Sequence, residues 1–293
     1  MKKLIMALAA ALMLAACEKQ ELPRSGGGIC LTNDTIEPYV TVTFAIGWQT
    51  TSHPMDARTR SISLAQSDMT DLWLFDYVNG ECVNTIHLTP DDDDFGSPSA
   101  SLTLGSHDIY FVASRGSGAD IDDVEGTIVW STVRDTFRGH LSLNVTSGTS
   151  PNQSVTLNRA VARLTITVND AIPTGTSKLV IVPDDWYYGM NYVTGEAIES
   201  KNDEITINIP SSYIGTTGLT ASCYSISGND EWQTDVLVKA VNASNVVVGQ
   251  VTIHDATFIQ NVITECSGAI FSGNALMNVA LNDTWGNSNI IQW

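Results

Sequence analysis

The sequence predicts an all-β fold on three observations. Charged residues make up 16% of the 293 and apolar residues 43%, with Val, Ile, Thr and Ser plentiful where a helical protein would carry Lys, Arg, Glu and Ala. Short runs alternate apolar and polar residues with a period of two. Turn residues separate these runs with no long helical period between them, which favours sandwiches over barrels or βαβ units. The length suits two such domains. A net charge of −18 excludes nucleic acid as a partner, because that binding needs a basic surface to release counterions.

The N-terminus reads as an export signal. Met1, Lys2 and Lys3 form a short basic region, residues 4–13 an apolar stretch too short to span a bilayer, and Leu14-Ala15-Ala16-Cys17 closes it as a lipobox. Residues 1–16 are then the signal peptide. The Cys17 thiol is the nucleophile that takes up a diacylglyceryl thioether, and fatty acyl chains there tether the chain to a membrane without spanning it. Residues 17–36, with Pro23 and Gly26-Gly27-Gly28, read as a flexible leash. Cys30, Cys82, Cys223 and Cys266 match no zinc-site spacing. An oxidising compartment permits disulfides in any of three pairings, and buried thiols are the other reading.

Residues 37–154 are the first expected domain. Tyr39 to Trp48 places Val40, Val42, Phe44 and Ile46 on one face and Thr41, Thr43 and Ala45 on the other. Asp71 to Val78 and Cys82 to Leu88 flank Asn79-Gly80, a hairpin signal. Ala100 to Leu104 and His107 to Ala113 are read as a second hairpin around Gly105-Ser106, and residues 120–138 as a short helix or a loop. Leu141 to Val145 and Val155 to Leu157 bracket a turn-rich stretch. Residues 155–293 are the second expected domain, opening on the clean alternation of AVARLTITVND. Further strands are expected at 178–182, 204–209, 219–226, 236–241, 245–253 and 275–281.

Chemistry is sparse. The five histidines show no i, i+2 or i, i+4 spacing, and no nucleophile elbow, phosphate loop or dinucleotide fingerprint occurs. Asp91 to Asp94 and the cluster Asp120, Asp122, Asp123 and Glu125 lack the pattern of a calcium loop and read as solvated turns. No carboxylate pair stands out as a glycosidase dyad. The expectation is no enzyme, no cofactor and no metal. Trp186, Tyr187 and Tyr188, read as a loop between Pro183 and Gly189, either stack on a ligand such as a sugar ring or cap the core.

A lipobox at Cys17, a leash, the strand at 39–48, the loop Arg58-Thr59-Arg60, MTDLWLFDY with Asn79-Gly80, VTLNRAVARLTITV at 155–168 and a terminal strand ending in Trp together resemble the fimbrillin-type (type V) pilins of Bacteroidetes over nearly the whole mature chain. The resemblance implies two transthyretin-like β-sandwich domains in tandem and a lipoprotein at the outer membrane and cell surface. It also implies assembly with other fimbrial subunits into an adhesive fimbria by strand exchange.

In that family a protease cuts the loop after the first strand. Cleavage after Arg60, or after Arg58, would release the strand carrying Val40, Val42, Phe44 and Ile46 and open an apolar groove. A neighbour's C-terminal strand then refills the groove by strand addition, a role the resemblance assigns to Ile290, Ile291 and Trp293. Otherwise the two arginines are solvated loop charges and the tail a final edge strand. The competing function is a monomeric surface lipoprotein or tip adhesin that binds a glycan or host protein.

Overall fold

The computed structural model describes residues 29–32, 35–48, 62–64, 67–228, 231–272, 275–284 and 291–292. Its first half carries β1 (Ile29–Thr32), β2 (Thr35–Trp48), β3 (Ile62–Ser63), β4 (Asp71–Val78), β5 (Glu81–Leu88), β6 (Ser99–Thr103), β7 (Gly105–Ser114), β8 (Ser117–Asp122), β9 (Thr127–Thr132), β10 (Thr136–Val145) and β11 (Asn152–Arg159). Its second half carries β12 (Val161–Val168), β13 (Thr176–Pro183), β14 (Trp186–Asn191), β15 (Ala197–Lys201), β16 (Ile205–Asn208), β17 (Leu219–Ile226), β18 (Trp232–Asn242), β19 (Val247–Phe258), β20 (Ile263–Gly268), β21 (Met277–Asn282) and β22 (Ile291–Gln292). One short 3-10 turn, Ser211–Tyr213, is the only named helical element among the described residues. The all-β expectation holds.

The first sandwich is built by a nine-stranded sheet that bends over itself, with the path β1-β2-β11-β10-β7-β4-β5 and with β3 and β6 also on β2. β10 and β11 share only the pairs Phe137↔Arg159 and Arg138↔Asn158, so the sheet turns a corner there. The layer around β2 then packs over β7 and β4, and Val42, Phe44, Leu72, Leu74, Ile109 and Phe111 meet in one core cluster. β4 and β5 form the hairpin expected at Asn79-Gly80, whose φ values of 52° and 85° are those of a type I′ turn.

The second sandwich stacks the sheet β21-β20-β12-β17-β22 on the sheet β16-β13-β18-β19. β12 lies at the centre of the first of these, antiparallel to β17 and parallel to β20, and Leu164, Ile166 and Val168 are fully buried. Val155 and Leu157 of β11 belong to the first cluster and Ala160 and Val161 to the second, which also takes in Trp73, Tyr110 and Trp130 from the first half of the chain.

Three readings of the sequence need correction. β6 and β7 do not form a hairpin, because β6 pairs with β2 while β7 pairs with β4 and β10. The chain switches layers at Gly105, whose φ of 134° suits glycine. Residues 120–138 hold neither a helix nor a plain loop but parts of β8, β9 and β10. Trp186 to Asn191 is a strand, and β14 pairs with β9 to make a four-stranded sheet, β15-β14-β9-β8, that joins a hairpin from each half of the chain. This shared sheet explains why β4 is buried on both faces from Leu72 to Tyr77. Leu72 and Leu74 face the first core, while Trp73, Phe75 and Tyr77 face the second cluster, where Phe75 stacks on Tyr192 with centroids 4.0 Å apart.

Candidate functional site

The candidate site is the slot that β2 fills. On one side β2 pairs antiparallel with β6, from Tyr39↔Thr103 to Thr43↔Ser99, and on the other it runs parallel to β11, from Thr43↔Asn152 to Trp48↔Leu157. Its remaining donors also find partners. The Phe44 and Ile46 N–H groups donate to the Pro98 and Gly96 carbonyls at 2.9 and 3.0 Å, and the Thr43 N–H to the Pro151 carbonyl at 2.8 Å.

Alternation then sets the packing. Val42 and Phe44 are wholly buried, Ile46 and Trp48 nearly so, and Val40 is half-buried. Phe44 meets the Phe111 ring edge-on at 5.3 Å and Trp48 lies 5.2 Å from Phe137. Each such side chain contributes about 1.5–3 kcal/mol by leaving water. Removing β2 would uncover the inner faces of β4 and β7 and leave β6 and β11 with unpaired backbone groups.

A buried polar pair fixes one wall of this slot. His107 Nδ1 lies 2.7 Å from an Asp76 carboxylate oxygen, both side chains being at most 2% exposed. Nε2 donates to the Thr103 carbonyl at 2.9 Å, at the end of β6 that pairs with Tyr39. With Nε2 so committed, one proton bridges Nδ1 and the carboxylate. Burial pushes the Asp76 carboxyl above its usual range, opposed by its hydrogen bond and charge interaction with His107. Sequence reasoning missed this pair. Its members sit 31 residues apart on strands that do not follow each other, and neither type at that spacing signals anything.

Residues that lock the two halves together were equally invisible. Arg138 Nε and Nη2 donate to the Tyr192 and Val193 carbonyls, each at 2.6 Å. Arg159 grips the Asp135 carboxylate with two nitrogens at 2.6 and 3.0 Å, donates to the Asn261 side chain at 2.8 Å and covers the Phe137 ring.

Cys17, Arg58, Arg60, Ile290 and Trp293 lie outside the described residues, as do the side chains of Cys30 and Ile291. The stretch bearing Arg58 and Arg60 joins β2 to β3, which pair at Gly47↔Ser63 and Trp48↔Ile62. Ile291 and Gln292 run parallel to Ala221 and Ser222 of β17, on the rim of the second sandwich.

Trp186 and Tyr188 have spent their ring faces on the core. Trp186 is fully buried, donates to the Tyr224 carbonyl at 3.0 Å and meets Phe258 edge-on; Tyr188 is 5% exposed, with its hydroxyl pushed up to about 12 mainly by burial. Tyr187 is half-buried against Trp232. Cys82, Cys223 and Cys266 are free thiols, and burial pushes Cys266 up to about 12. Asp92 caps Thr89 and Asp122 caps Val124 and Glu125, so both acidic stretches are turns. No group of metal-ligating side chains occurs among the described residues.

A family model described as fimbrillin-A associated anchor proteins Mfa1 and Mfa2 matches residues 37–257. No curated protein sequence matches the chain. Among solved structures, the fold is similar to that of a Bacteroides thetaiotaomicron protein provisionally named as polysaccharide-binding, at 10% identity and TM-score 0.55 over 84% of this chain and 96% of that one. It is also similar to a provisionally named cell adhesion protein of Bacteroides ovatus, at 12% identity and TM-score 0.52 over 85% and 99%. The fimbrial anchor protein Mfa2 of Porphyromonas gingivalis aligns at 9% identity and TM-score 0.49 over 84% and 100%. At such identities the first two likenesses speak to the fold alone.

Proposed function

The chain belongs to the family of fimbrillin-A-associated anchor proteins, and from that premise we propose that it is a structural subunit of a cell-surface fimbria. It is exported as a lipoprotein on Cys17, held at the outer membrane and joined to neighbouring subunits by strand exchange. The observation that carries this reading is the seating of β2, one N-terminal strand that alone fills the space between β6 and β11 and plugs the first core. Cleavage after Arg60 or Arg58 would free that strand together with the lipid. The vacant slot then takes an extended apolar segment of another subunit, and the C-terminal residues Ile290, Ile291 and Trp293 supply one. Head-to-tail insertion of this kind propagates as an open filament.

A second reading is the anchor, in which β2 stays in place and lipid on Cys17 retains the fimbria. The description of the matching family favours it. A glycan-binding role draws no support from Trp186 and Tyr188, whose ring faces are buried.

Mass spectrometry of the protein recovered from assembled fimbriae decides between the two. An N-terminus at Ser61 or Thr59, with a ladder in unboiled gels that disappears on deleting residues 287–293, is the expected result for a processed subunit. An acylated Cys17 on the assembled form overturns cleavage in favour of the anchor, and a chain absent from fimbriae overturns both.

A further inference from the structure

Exposed apolar side chains are concentrated on one side of the second sandwich. Nine large ones stand out to solvent among the described residues, and six of them are Val246, Val247, Val248, Leu276, Val279 and Leu281. The first three lie at or just before the start of β19 and the last three lie on or beside β21, which are the end strands of the two facing sheets. In β21, Val279 and Leu281 stand opposite Cys266 and Thr264, which are buried at 1% and 0%. Directly opposed residues in an antiparallel pair share a face. The core face of the five-stranded sheet therefore continues onto β21, yet Val279 and Leu281 are 44% and 49% exposed.

The outer edge of β21 is equally bare. β20 is its only partner among the described residues, so a row of backbone donors and acceptors points outward. Proteins guard such edges with Lys, Pro, a bulge or an inward charge. Leu276 to Asn282 (LMNVALN) contains none of those residues and no charge in a chain of net charge −18. The order of side chains is also nearly the same in both directions. Laid antiparallel on a copy of itself about Ala280, β21 brings Val279 opposite Leu281 and Asn278 opposite Asn282.

We propose that β21 is a self-pairing edge, through which two copies of this chain join antiparallel in the register Ala280 on Ala280. The contact is isologous, so it closes at two copies. It merges two five-stranded sheets into one and runs the apolar row of Val279 and Leu281 across the junction. The short uncharged strand is where two strongly acidic chains meet with the least repulsion at the contact itself. This pairing does not depend on the fate of β2, so it stands or falls separately from strand exchange at the first sandwich.

Register-specific cross-linking of the full chain in detergent tests it. Opposed Cα atoms in an antiparallel pair lie about 4.5–5.5 Å apart, within the span of a disulfide, so Ala280→Cys should oxidise to a covalent dimer about tenfold above the unaltered chain oxidised in parallel. Two copies of position 278 lie roughly 14 Å apart along the strands in this register. Asn278→Cys alone should therefore stay at background, while an equal mixture of Asn278→Cys and Asn282→Cys chains should cross-link. Ala280 is exposed and tolerates the change, and if that variant fails to fold the mixture carries the test by itself. Background levels in the mixture overturn the proposal, and so does Asn278→Cys cross-linking alone as fully as the mixture.

Discussion

β2 and β22 are the two strands on which an exchange mechanism would act, and they are held in opposite ways. β2 is paired along both edges and drives Val42, Phe44, Ile46 and Trp48 into the first core. Among the described residues β22 touches β17 through two residues, as an end strand of the sheet β21-β20-β12-β17-β22. The lesson is one of asymmetry. A slot whose occupant contributes that much burial must be refilled once emptied, whereas the described two-residue ladder of β22 contributes about 0.5–1.5 kcal/mol for each net hydrogen bond. Directional assembly by the proposed exchange would need such an asymmetry between the slot and the strand that refills it.

The largest effect is expected at Phe44, which is wholly buried. Phe44→Ala should destabilise the protein by about 3–5 kcal/mol through the cavity left against Phe111, read as a lower midpoint in denaturant. Leu281→Ala on the exposed β21 should move the same midpoint by no more than about 0.5 kcal/mol. Equal effects at the two positions would mean that β2 does not carry the first core.

Next in size is the polar pair behind the slot. Asp76→Ala leaves the His107 ring buried without its carboxylate, which should cost about 3 kcal/mol. The same variant should make β6 the first strand to lose amide protection in hydrogen exchange. Uniform loss across all strands would show that the pair serves the fold in general and not the slot wall.

The smallest effect sharpens the contrast between the two faces of β7. Asp108, beside His107 but on the solvent side, is held below the usual carboxylate range first by the Ser142 hydroxyl and then by His140. A depressed folded value means that its contribution is complete above the unfolded value of about 3.9 and disappears as pH falls through the folded one. Asp108→Asn should therefore lower the melting temperature slightly at pH 6 and leave it unchanged near pH 2. A deficit that persists in acid would assign the loss to packing.

Legibility in the sequence followed how many faces of a strand were buried and where its partner lay. β12 and β17 were readable because apolar residues mark strands that stay in one sandwich, and the Asn79-Gly80 turn fixed its hairpin locally. The alternation of Val42, Phe44 and Ile46 likewise exposed the slot's occupant. β14 was hidden by Gly189, read as a loop residue although a Cβ there would sit 2.8 Å from a Val129 methyl and 3.0 Å from the Ile128 carbonyl. That glycine marks backbone closing on β9. The partner of β6 lies far upstream on β2, so a nearby β7 suggested the wrong hairpin. Asp76 and His107 had no signature at all, because their meeting is a product of the sheet and not of spacing.

The parallel run of β2 on β11 also has a mechanical meaning. Tension applied at the N-terminal side of β2 acts along the strand, and the bonds to β6 and β11 between Tyr39 and Trp48 are then sheared together instead of being peeled one by one. Rupture under force follows the rate of unfolding and not the equilibrium balance. A chain tethered at that end would thus grip hardest in the direction in which flow or a moving surface pulls.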